Sequence, residues 1–531
     1  MFIRLSTALL LVASTLSAQQ PAVPLYKDLG THRKAIGTQV PLAQQYFDQG
    51  LRLVYGFNHA EAIRSFTRAA ELDPSCAMCY WGIAYAYGPH VNAGMDSASG
   101  VAAYQAAQKA LSLSRNATPW KRAYVRAVAA RYAAVPLANR AKLDTAYANA
   151  MRDVARTYPN DLDAASLYAE SLMDLRPWNY WTPAGKPYPG TQEIVRQLER
   201  VIARNPNHPA ACHYFIHAVE AANPQLAVPC AERLARLMPG EGHMVHMPAH
   251  IYVRVGRYSD AAAANVHAIH TDEVFIEGQK PTTVYSLAYY PHNIHFLAFV
   301  STLAGKSAQA IENAKLLKSK VNLDVARSVG MLQEMVPYYA LTLTTFGRWD
   351  DVLAEPLPPS DIRFPYAMAY YARGVAHAAK GQFDEARMDL DTVKAIDAAT
   401  PADAESKTPV SIAVHALMAE IATRSGKLGE GIAHFREALK IEDAGLYFEP
   451  PKWYYPVRQS LGAALLKAGR NAEAEAVYRD DLKRFPENGW SLFGLAAALR
   501  AQGKSAEAAA VEKRFAKAWA GADVKLTASR F

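Results

Sequence analysis

Three histidines in one short stretch carry the clearest chemical signal of the sequence. The residues HMVHMPAH place His243, His246 and His250 three and then four residues apart. At about 100° per residue these positions fall within roughly 60° of arc, so the three rings project from one face of one helix. Imidazole is the commonest borderline ligand for zinc, copper, nickel and iron. The spacing therefore predicts a helix face that binds a metal ion.

Two neighbouring segments repeat this arrangement. The stretch HYFIHAVE spaces two histidines and a glutamate by four and three residues, and YYPHNIHFL places two histidines 13 and 10 residues before Gly305. The first two histidines of HMVHMPAH lie equally far before Gly256. Because adjacent packed helices lie about 8–10 Å apart, we expect three successive inner helices to bring these side chains toward one volume. The predicted ligands are His213, His217, Glu220, His243, His246, His250, His292 and His295.

The size of this set leaves several functions open. Seven histidines and a carboxylate exceed the ligands of one tetrahedral ion, so the cluster predicts one or two transition-metal ions, copper, zinc or iron. Metal-bound water could support hydrolysis, and a copper or iron centre could support oxidation. No nucleophile motif, phosphate loop or zinc-protease signature accompanies the histidines. Metal carriage without turnover, and a metal-free polar face that binds a peptide or protein partner, are the remaining alternatives.

Internal repeats define the elements that must position these residues. Residues 46–74 and 460–486 carry small and aromatic residues at the offsets of a 34-residue helix-turn-helix repeat, and a further copy follows from Trp490. Between these ends a short string recurs, as GRYSDA at 256, GKSAQA at 305, GRWDDV at 347, GQFDEA at 381, GKLGEG at 426 and GKSAEA at 503. Each string indicates the tight turn of one helical pair.

This pattern resembles the tetratricopeptide repeat. The strings HYFIH, HMPAHIYVRVGRY and YYPHNIHFL are similar to those of one subgroup of secreted bacterial repeat proteins, with the motifs HMPxHIY and YPHNxHF. The resemblance implies an all-α, right-handed superhelical solenoid of helical hairpins, whose first helices line a concave groove. It implies no particular reaction. We expect N-terminal hairpins over residues 19–240, a central histidine-rich array over 241–400 and C-terminal repeats over 401–531.

Four interruptions of the repeat pattern predict long loops. Their sequences are RPWNYWTPAGKPYPGT from 176, TDEVFIEGQKPTTVYSLAYYP from 271, DAATPADAESKTP from 397 and EDAGLYFEPPKWYYP from 442. Proline, glycine and aromatic residues suit ordered loops that fold over the concave groove, and a plain solvent-exposed connection is the alternative.

The N-terminal 18 residues predict a secretory signal peptide. Arg4 is followed by an apolar run from Leu5 to Leu16 and by the small residues Ser17 and Ala18. No later segment approaches the roughly 18 apolar residues of a membrane helix. We therefore expect a periplasmic or secreted protein without a transmembrane segment. The net charge of +8 is spread along the chain rather than clustered, so we expect no nucleic-acid partner.

Four cysteines are disulfide candidates. In an oxidising compartment, one bridge between Cys76 and Cys79 and another between Cys212 and Cys230 are favoured. The register of Cys76 and Cys79 within their repeat predicts that both face the groove. A redox couple, or a soft metal site together with His90, is the alternative for this pair.

Residues outside the ligand set are expected to have ordinary roles. Met244 and Met247 point away from the histidine face, which favours packing in the core over ligation of copper. Seven further histidines are expected at the surface, namely His32, His59, His267, His270, His377, His415 and His434.

Overall fold

A computed structural model describes residues 23–137, 139–280 and 283–531, so the predicted signal peptide lies outside the described residues. Within these ranges the regular structure is helical, apart from two isolated bridges, His90 with Ala93 and Trp181 with Pro187. Consecutive helices pack against each other in pairs, and the pairs stack into a superhelical solenoid. The all-α solenoid of helical hairpins is confirmed. No helix in the described ranges is long and apolar enough to cross a membrane.

The helices fall into three stretches of the chain. The first comprises α1 (Pro41–Tyr55), α2 (His59–Leu72), α3 (Ala77–Ala86), α4 (Ser97–Leu113), α5 (Pro119–Ala129), α6 (Ala141–Thr157), α7 (Leu162–Met173) and α8 (Thr191–Arg204). The second comprises α9 (Pro209–Val219), α10 (Val228–Leu237), α11 (Gly242–His246), α12 (Pro248–Arg254), α13 (Tyr258–Gln279), α14 (Tyr290–Leu303), α15 (Ser307–Lys320), α16 (Leu323–Ala326), α17 (Gly330–Met335), α18 (Tyr338–Thr345) and α19 (Trp349–Ala354). The third comprises α20 (Arg363–Ala379), α21 (Phe383–Ala399), α22 (Lys407–Arg424), α23 (Leu428–Ala444), α24 (Val457–Lys467), α25 (Asn471–Arg484), α26 (Gly489–Ala501) and α27 (Ser505–Ala518). A 3₁₀ turn, Pro224–Ala227, precedes α10, and a π-helical turn, Tyr285–Tyr289, runs into α14.

The recurring turn strings separate the helices as predicted. The glycine of each string has a φ between 68° and 88°, and the next helix begins two residues later. This left-handed conformation carries a steric cost for residues with a Cβ and almost none for glycine. The glycine therefore ends the first helix of each pair and reverses the chain. The glycines concerned are Gly256, Gly305, Gly347, Gly381, Gly426 and Gly503.

Small residues let the paired helices approach closely. A Cβ atom added at Gly462 would lie 2.4 Å from the ring of Tyr478, and one added at Gly494 would lie 2.2 Å from the same ring. One buried tyrosine of α25 thus packs directly on the backbones of α24 and α26. This contact explains why the repeat places a glycine at that offset.

The predicted loops are partly confirmed. Irregular segments occupy residues 174–190, 400–406 and 445–456, close to three of the four predicted positions. The fourth prediction is largely wrong, because α13 continues to Gln279 and the chain is helical again from Tyr285. Nothing in the sequence between Thr271 and Gln279 interrupts a helix, since the first proline of that segment is Pro281.

The last repeats pack against helices from the middle of the sequence. The Tyr258 hydroxyl donates to the carbonyl of Pro486 at 2.8 Å, and the Trp490 indole donates to the carbonyl of Thr302 at 3.0 Å. The superhelix formed by the helices from α12 to α27 is therefore curved so strongly that its C-terminal repeats contact α13 and α14. This closure places the loop 445–456 over the histidine-bearing helices.

Candidate metal centre

Three consecutive inner helices supply the predicted ligands. The helix α9 carries the first two histidines and ends at Glu220, the pair α11 and α12 carries the next three, and α14 carries the last two. Pro248 divides α11 from α12, because a proline nitrogen has no hydrogen to donate. His292 is half-buried, and the other predicted ligands are buried, with exposed fractions of 6% or less. They separate into two groups of three histidines instead of one volume.

The second triad consists of His246, His250 and His292. The Nε2 atom of His246 lies 2.8 Å from the Nε2 atom of His250 and 3.2 Å from that of His292. The three ligand atoms all lie within 4.8 Å of one another. In a tetrahedral site with metal–nitrogen bonds of about 2.0–2.1 Å, two ligand nitrogens are roughly 3.3 Å apart. The spacing of the second triad therefore fits ligation of one shared ion.

Hydrogen bonds fix which nitrogens of this triad carry protons. The Asn265 amide nitrogen donates to the carbonyl of Ala261, so its oxygen, 2.7 Å from His246 Nδ1, accepts a proton from that nitrogen. The Nδ1 atom of His250 donates to Glu220 Oε2 at 2.7 Å. A neutral imidazole protonated at Nδ1 has a lone pair on Nε2. The Nε2 lone pairs of His246 and His250 thus face each other, which a cation between them would stabilise.

The first triad consists of His213, His217 and His243. The Nδ1 atom of His213 donates to the carbonyl of Tyr55 at 2.6 Å, which leaves its Nε2 atom as an acceptor 3.2 Å from His243 Nε2. Both ring nitrogens of His217 and the Nδ1 atom of His243 are buried without a hydrogen-bond partner among the described residues. An unsatisfied buried polar atom costs about 1–3 kcal/mol, so these nitrogens fit a site that an ion completes.

Burial and mutual repulsion favour the neutral form of five of these histidines. Burial lowers the pKa of every histidine in the first triad, and the neighbouring imidazoles lower each of them further. The same two causes hold the pKa values of His246 and His292 well below the ordinary value. Neutral imidazole is the form that ligates a metal. The protein thus presents these rings at neutral pH in the state that metal binding requires.

Glu220 lies between the two triads. Its Oε2 atom accepts from His250, and its Oε1 atom lies 3.4 Å from the Nδ1 atom of His217. Burial would raise the pKa of Glu220, yet His250 and His217 lower it to about 2. Ligating histidines in metalloproteins commonly donate their second nitrogen to a carboxylate in this way. Glu220 therefore orients His250 of the second triad, lies beside His217 of the first, and is better placed as a supporting group than as a ligand.

Two aromatic residues that the sequence did not indicate pack on the histidines. The ring centroid of Phe57 lies 4.5 Å from that of His213, 5.7 Å from that of His243 and 5.9 Å from that of His217. Trp178 meets His217 edge-on at 5.1 Å. Phe57 and Trp178 have φ angles of 60° and 63°, a left-handed conformation that bulky residues rarely adopt. Strained backbone of this kind concentrates at functional sites.

His295 lies outside both triads. Its ring packs edge-on against Tyr338 of the following repeat at 4.1 Å, and burial lowers its pKa to about 3. The repeat register explains this position, because His246 also points to the following repeat, where it meets His292. The equivalence of spacing is correct, and His295, although it joins neither triad, lines the same cavity as His217 and His250.

A third group of close ligand atoms was missed by the sequence argument. His32, Asp163 and His208 lie within 4.8 Å of one another. The Nδ1 atom of His208 accepts from a backbone N–H, so its Nε2 atom carries the proton and lies 3.3 Å from Asp163 Oδ1. The same oxygen is 2.8 Å from His32 Nε2 and accepts from the Tyr55 hydroxyl at 2.7 Å, and Lys34 approaches the other oxygen. Hydrogen-bond donors and the Lys34 ammonium already surround this carboxylate. The group therefore stabilises the fold rather than offering free ligands for an ion.

The cysteines are bonded in the pairs that the sequence favours, Cys76 with Cys79 and Cys212 with Cys230. The first pair does not face the groove. Cys76 and Cys79 are 8% and 0% exposed, because the start of α3 packs into the core between α2 and its neighbours. The alternative of a soft metal site with His90 is therefore wrong, since both thiols are bonded and His90 instead packs beside the first triad.

The other side-chain expectations have mixed outcomes. Met244 and Met247 are fully buried in the core, and His267 and His270 are exposed, as predicted. The expectation of a surface position is wrong for five histidines, which are half-buried because each ring packs or bonds within the array. These are His32, His59, His377, His415 and His434.

A cavity of about 260 Å³ adjoins both triads. His217 and His243 of the first triad and His250 and His292 of the second line one side of it. The rest of the lining includes side chains from the segments 174–190 and 445–456, from the π-helical turn and from α17. The loops that interrupt the repeats thus cover part of the histidine cluster and leave a small, partly open cavity beside it.

Comparisons with known proteins agree with the repeat architecture. Residues 460–523 match the family described as Tetratricopeptide repeat, so this stretch consists of such repeats. Among solved structures, the human IFIT1 dimer with m7Gppp-AAAA is 12% identical with a TM-score of 0.36, over 83% of this chain and 90% of that chain. Yeast Tom70 is 13% identical with a TM-score of 0.33, over 88% of this chain and 97% of that chain. The sequence has no significant match among curated proteins.

Proposed function

We propose that this repeat protein binds transition-metal ions, copper, zinc or iron, with one ion in each histidine triad. The observation that carries the proposal is the 2.8 Å distance between the Nε2 atoms of His246 and His250. Both rings donate their Nδ1 protons to other groups, so each Nε2 atom has a lone pair that faces the other. Without a cation or an extra proton this contact is repulsive. The buried nitrogens of His217 support an ion in the first triad as well.

Burial argues against the alternative of a metal-free peptide-binding face. Repeats of this kind commonly bind peptides or proteins along their concave groove. His243, His246 and His250 are only 2%, 0% and 1% exposed, so an extended peptide in the groove would not reach them. Protein binding by other surfaces of the solenoid is compatible with the metal proposal.

Metal analysis of protein purified without a histidine tag tests the proposal. The expected result is about two equivalents of copper, zinc or iron in the wild type and the loss of one equivalent in a His246→Ala, His250→Ala variant. The matched control is His267→Ala, His270→Ala, which removes two exposed histidines from α13 and should retain both ions. A wild type that is free of metal and refuses added zinc and copper would contradict the proposal.

A second candidate function is metal-dependent hydrolysis or oxidation. The specific observation in its favour is the cavity, which reaches both triads and is large enough for a small molecule. Screening the metal-loaded protein for both reactions, with the His246→Ala, His250→Ala variant as the blank, separates turnover from carriage or storage of the ion.

We also propose that the protein is exported. The signal-like residues 1–18 support this, and two disulfides are typical of oxidising compartments. Cell fractionation combined with N-terminal sequencing tests it, with a mature chain that begins near residue 19 as the expected result.

A further inference from the structure

The lining of the cavity beside the triads has two chemically different parts. Histidines form one part of the lining, and aromatic or flexible apolar side chains form another, including Trp178, Tyr289, Met335 and Phe448. Tyr289 also packs on the first triad, with its ring centroid 4.7 Å from that of His243. Aromatic walls favour a planar ring, because offset and edge-to-face contacts add about 0.5–1.5 kcal/mol to burial alone.

Besides the triad histidines, three residues of the lining have a buried polar atom without a hydrogen-bond partner in the part of the chain that the structure describes. These atoms are the Tyr289 hydroxyl, His295 Nε2 and Glu449 Oε2, on side chains that are 7%, 6% and 7% exposed. The other carboxylate oxygen of Glu449 already accepts from the Tyr447 hydroxyl at 2.7 Å. A ligand with a hydroxyl group would supply the donor that Glu449 Oε2 lacks.

The charged side chains that line the cavity disfavour an anionic ligand. Glu334, Glu405 and Glu449 line the cavity together with a single cation, Lys452. The ammonium nitrogen of Lys452 lies 3.3 Å from one carboxylate oxygen of Glu334 and 3.3 Å from one of Glu405, so its charge is already paired. The surplus carboxylate would repel a negatively charged ligand of the same size.

The geometry points to a small neutral phenol as the ligand of this cavity, with its ring among the aromatic and methionine side chains and a hydroxyl oxygen toward the histidines. The position of the ring follows from the cavity alone. The contact of the hydroxyl oxygen with an ion rests on the proposed function.

Calorimetric titration with three probes of similar size tests this inference. Phenol, cyclohexanol and benzoate are titrated into zinc-loaded protein and into chelator-treated protein. We expect phenol to bind both forms, more tightly with zinc, and cyclohexanol to bind at least tenfold more weakly than phenol. In the chelator-treated form, where no ion offsets the carboxylates, benzoate should also bind at least tenfold more weakly.

Variants that fill the cavity locate the phenol. Ala288→Phe places a ring in the wall, and Val284→Trp blocks the mouth from an exposed position that folding tolerates. Each should weaken phenol binding at least tenfold at unchanged zinc content, while the exposed Ala263→Phe on α13 should not. Unchanged phenol binding in both cavity variants, or equal binding of cyclohexanol, would overturn the inference. Full zinc content without phenol binding would refute this inference alone, whereas absence of zinc would refute the proposed function.

Discussion

The Nε2 atoms of His246 and His250 face each other across 2.8 Å, although both rings already donate through Nδ1. Asn265 fixes the proton of the first ring, and Glu220 fixes that of the second. Two acceptors at this distance repel unless a cation or an extra proton lies between them. The proposed metal site therefore depends on the supporting residues as well as on the ligands, and the supporting residues supply the first test.

Replacement of Glu220 by glutamine should weaken metal binding in both triads. The change removes the negative charge that accepts the proton of His250 and lies 3.4 Å from the Nδ1 atom of His217. Loss of such a supporting carboxylate typically lowers metal affinity about 10–100-fold. Competition titration with a coloured zinc chelator measures the change. The exposed Glu199→Gln on α8 is the matched control, and an affinity equal to that of wild type in Glu220→Gln would contradict the assignment.

Replacement of Phe57 by alanine should affect the first triad alone. Its ring contacts all three histidines of that triad, so its removal leaves a cavity beneath them. We expect a loss of about 3–5 kcal/mol in the free energy of unfolding and the loss of one equivalent of bound metal. Urea denaturation and metal analysis measure the two effects. Phe435→Ala, which removes an equally buried ring from α23, should match the loss of stability and retain both ions.

Replacement of His208 by alanine should destabilise the fold and leave metal content unchanged. His208 carries its proton toward Asp163 and caps the start of α9. Loss of both interactions should cost about 1–3 kcal/mol, because Asp163 stays buried with one donor fewer. Thermal melting followed by metal analysis is the measurement. A variant that loses metal at full stability would show instead that His32, Asp163 and His208 hold an ion.

Ionisation of Asp272 should lower the stability of the protein as the pH rises from about 4 to 7, opposing the buried histidines, whose lowered pKa values make stability rise with pH. Burial raises the pKa of Asp272 to about 7. Hydrogen bonds from Tyr285 and Asn293 lower this pKa, and the nearby charge of Glu273 raises it. The folded state then holds a proton that the unfolded state, with an ordinary pKa near 4, has lost. The raised pKa of Asp272 leaves the folding stability unaffected below pH 4 and reduces it by up to about 4 kcal/mol above pH 7.

Urea denaturation across this range measures the dependence. The stability of Asp272→Asn relative to the wild type should increase between pH 4 and 7, whereas the curve of the exposed Asp391→Asn should stay parallel to that of the wild type. The charge of Asp272 also helps to raise the pKa of Glu241, so the difference between the curves reports Asp272 together with its effect on Glu241. Parallel curves for wild type and Asp272→Asn would show that Asp272 is ionised throughout.

Local patterns in the sequence predicted the fold well. The turn glycines act through their own backbone angles, and the offset of Gly462 and Gly494 from Tyr478 follows from close packing within one repeat. The histidines of α9, α11, α12 and α14 were found for the same reason, since spacing along one helix determines a shared face.

Contacts across long stretches of sequence were not predictable in this way. The division of the histidines into two triads falls between His243 and His246 on α11 and depends on which neighbouring repeat each ring meets. Phe57 reaches the first triad from the turn between α1 and α2, Trp178 comes from the loop 174–190, and His32 meets Asp163 across 131 residues. No periodicity in the sequence encodes such contacts, because they arise from the curvature of the whole array.

The closure of the solenoid changes how the molecule should unfold. In an open repeat array each hairpin contacts only its neighbours, so the ends can unfold one repeat at a time. Here Tyr258 and Thr302, in the middle of the chain, bond to Pro486 and Trp490 near its end. Peeling the terminal repeats away breaks contacts with the helices that bear the histidines. The intervening helices are thereby coupled into one cooperative unit, and the rigidity of the metal centre depends on residues more than 180 positions away in sequence.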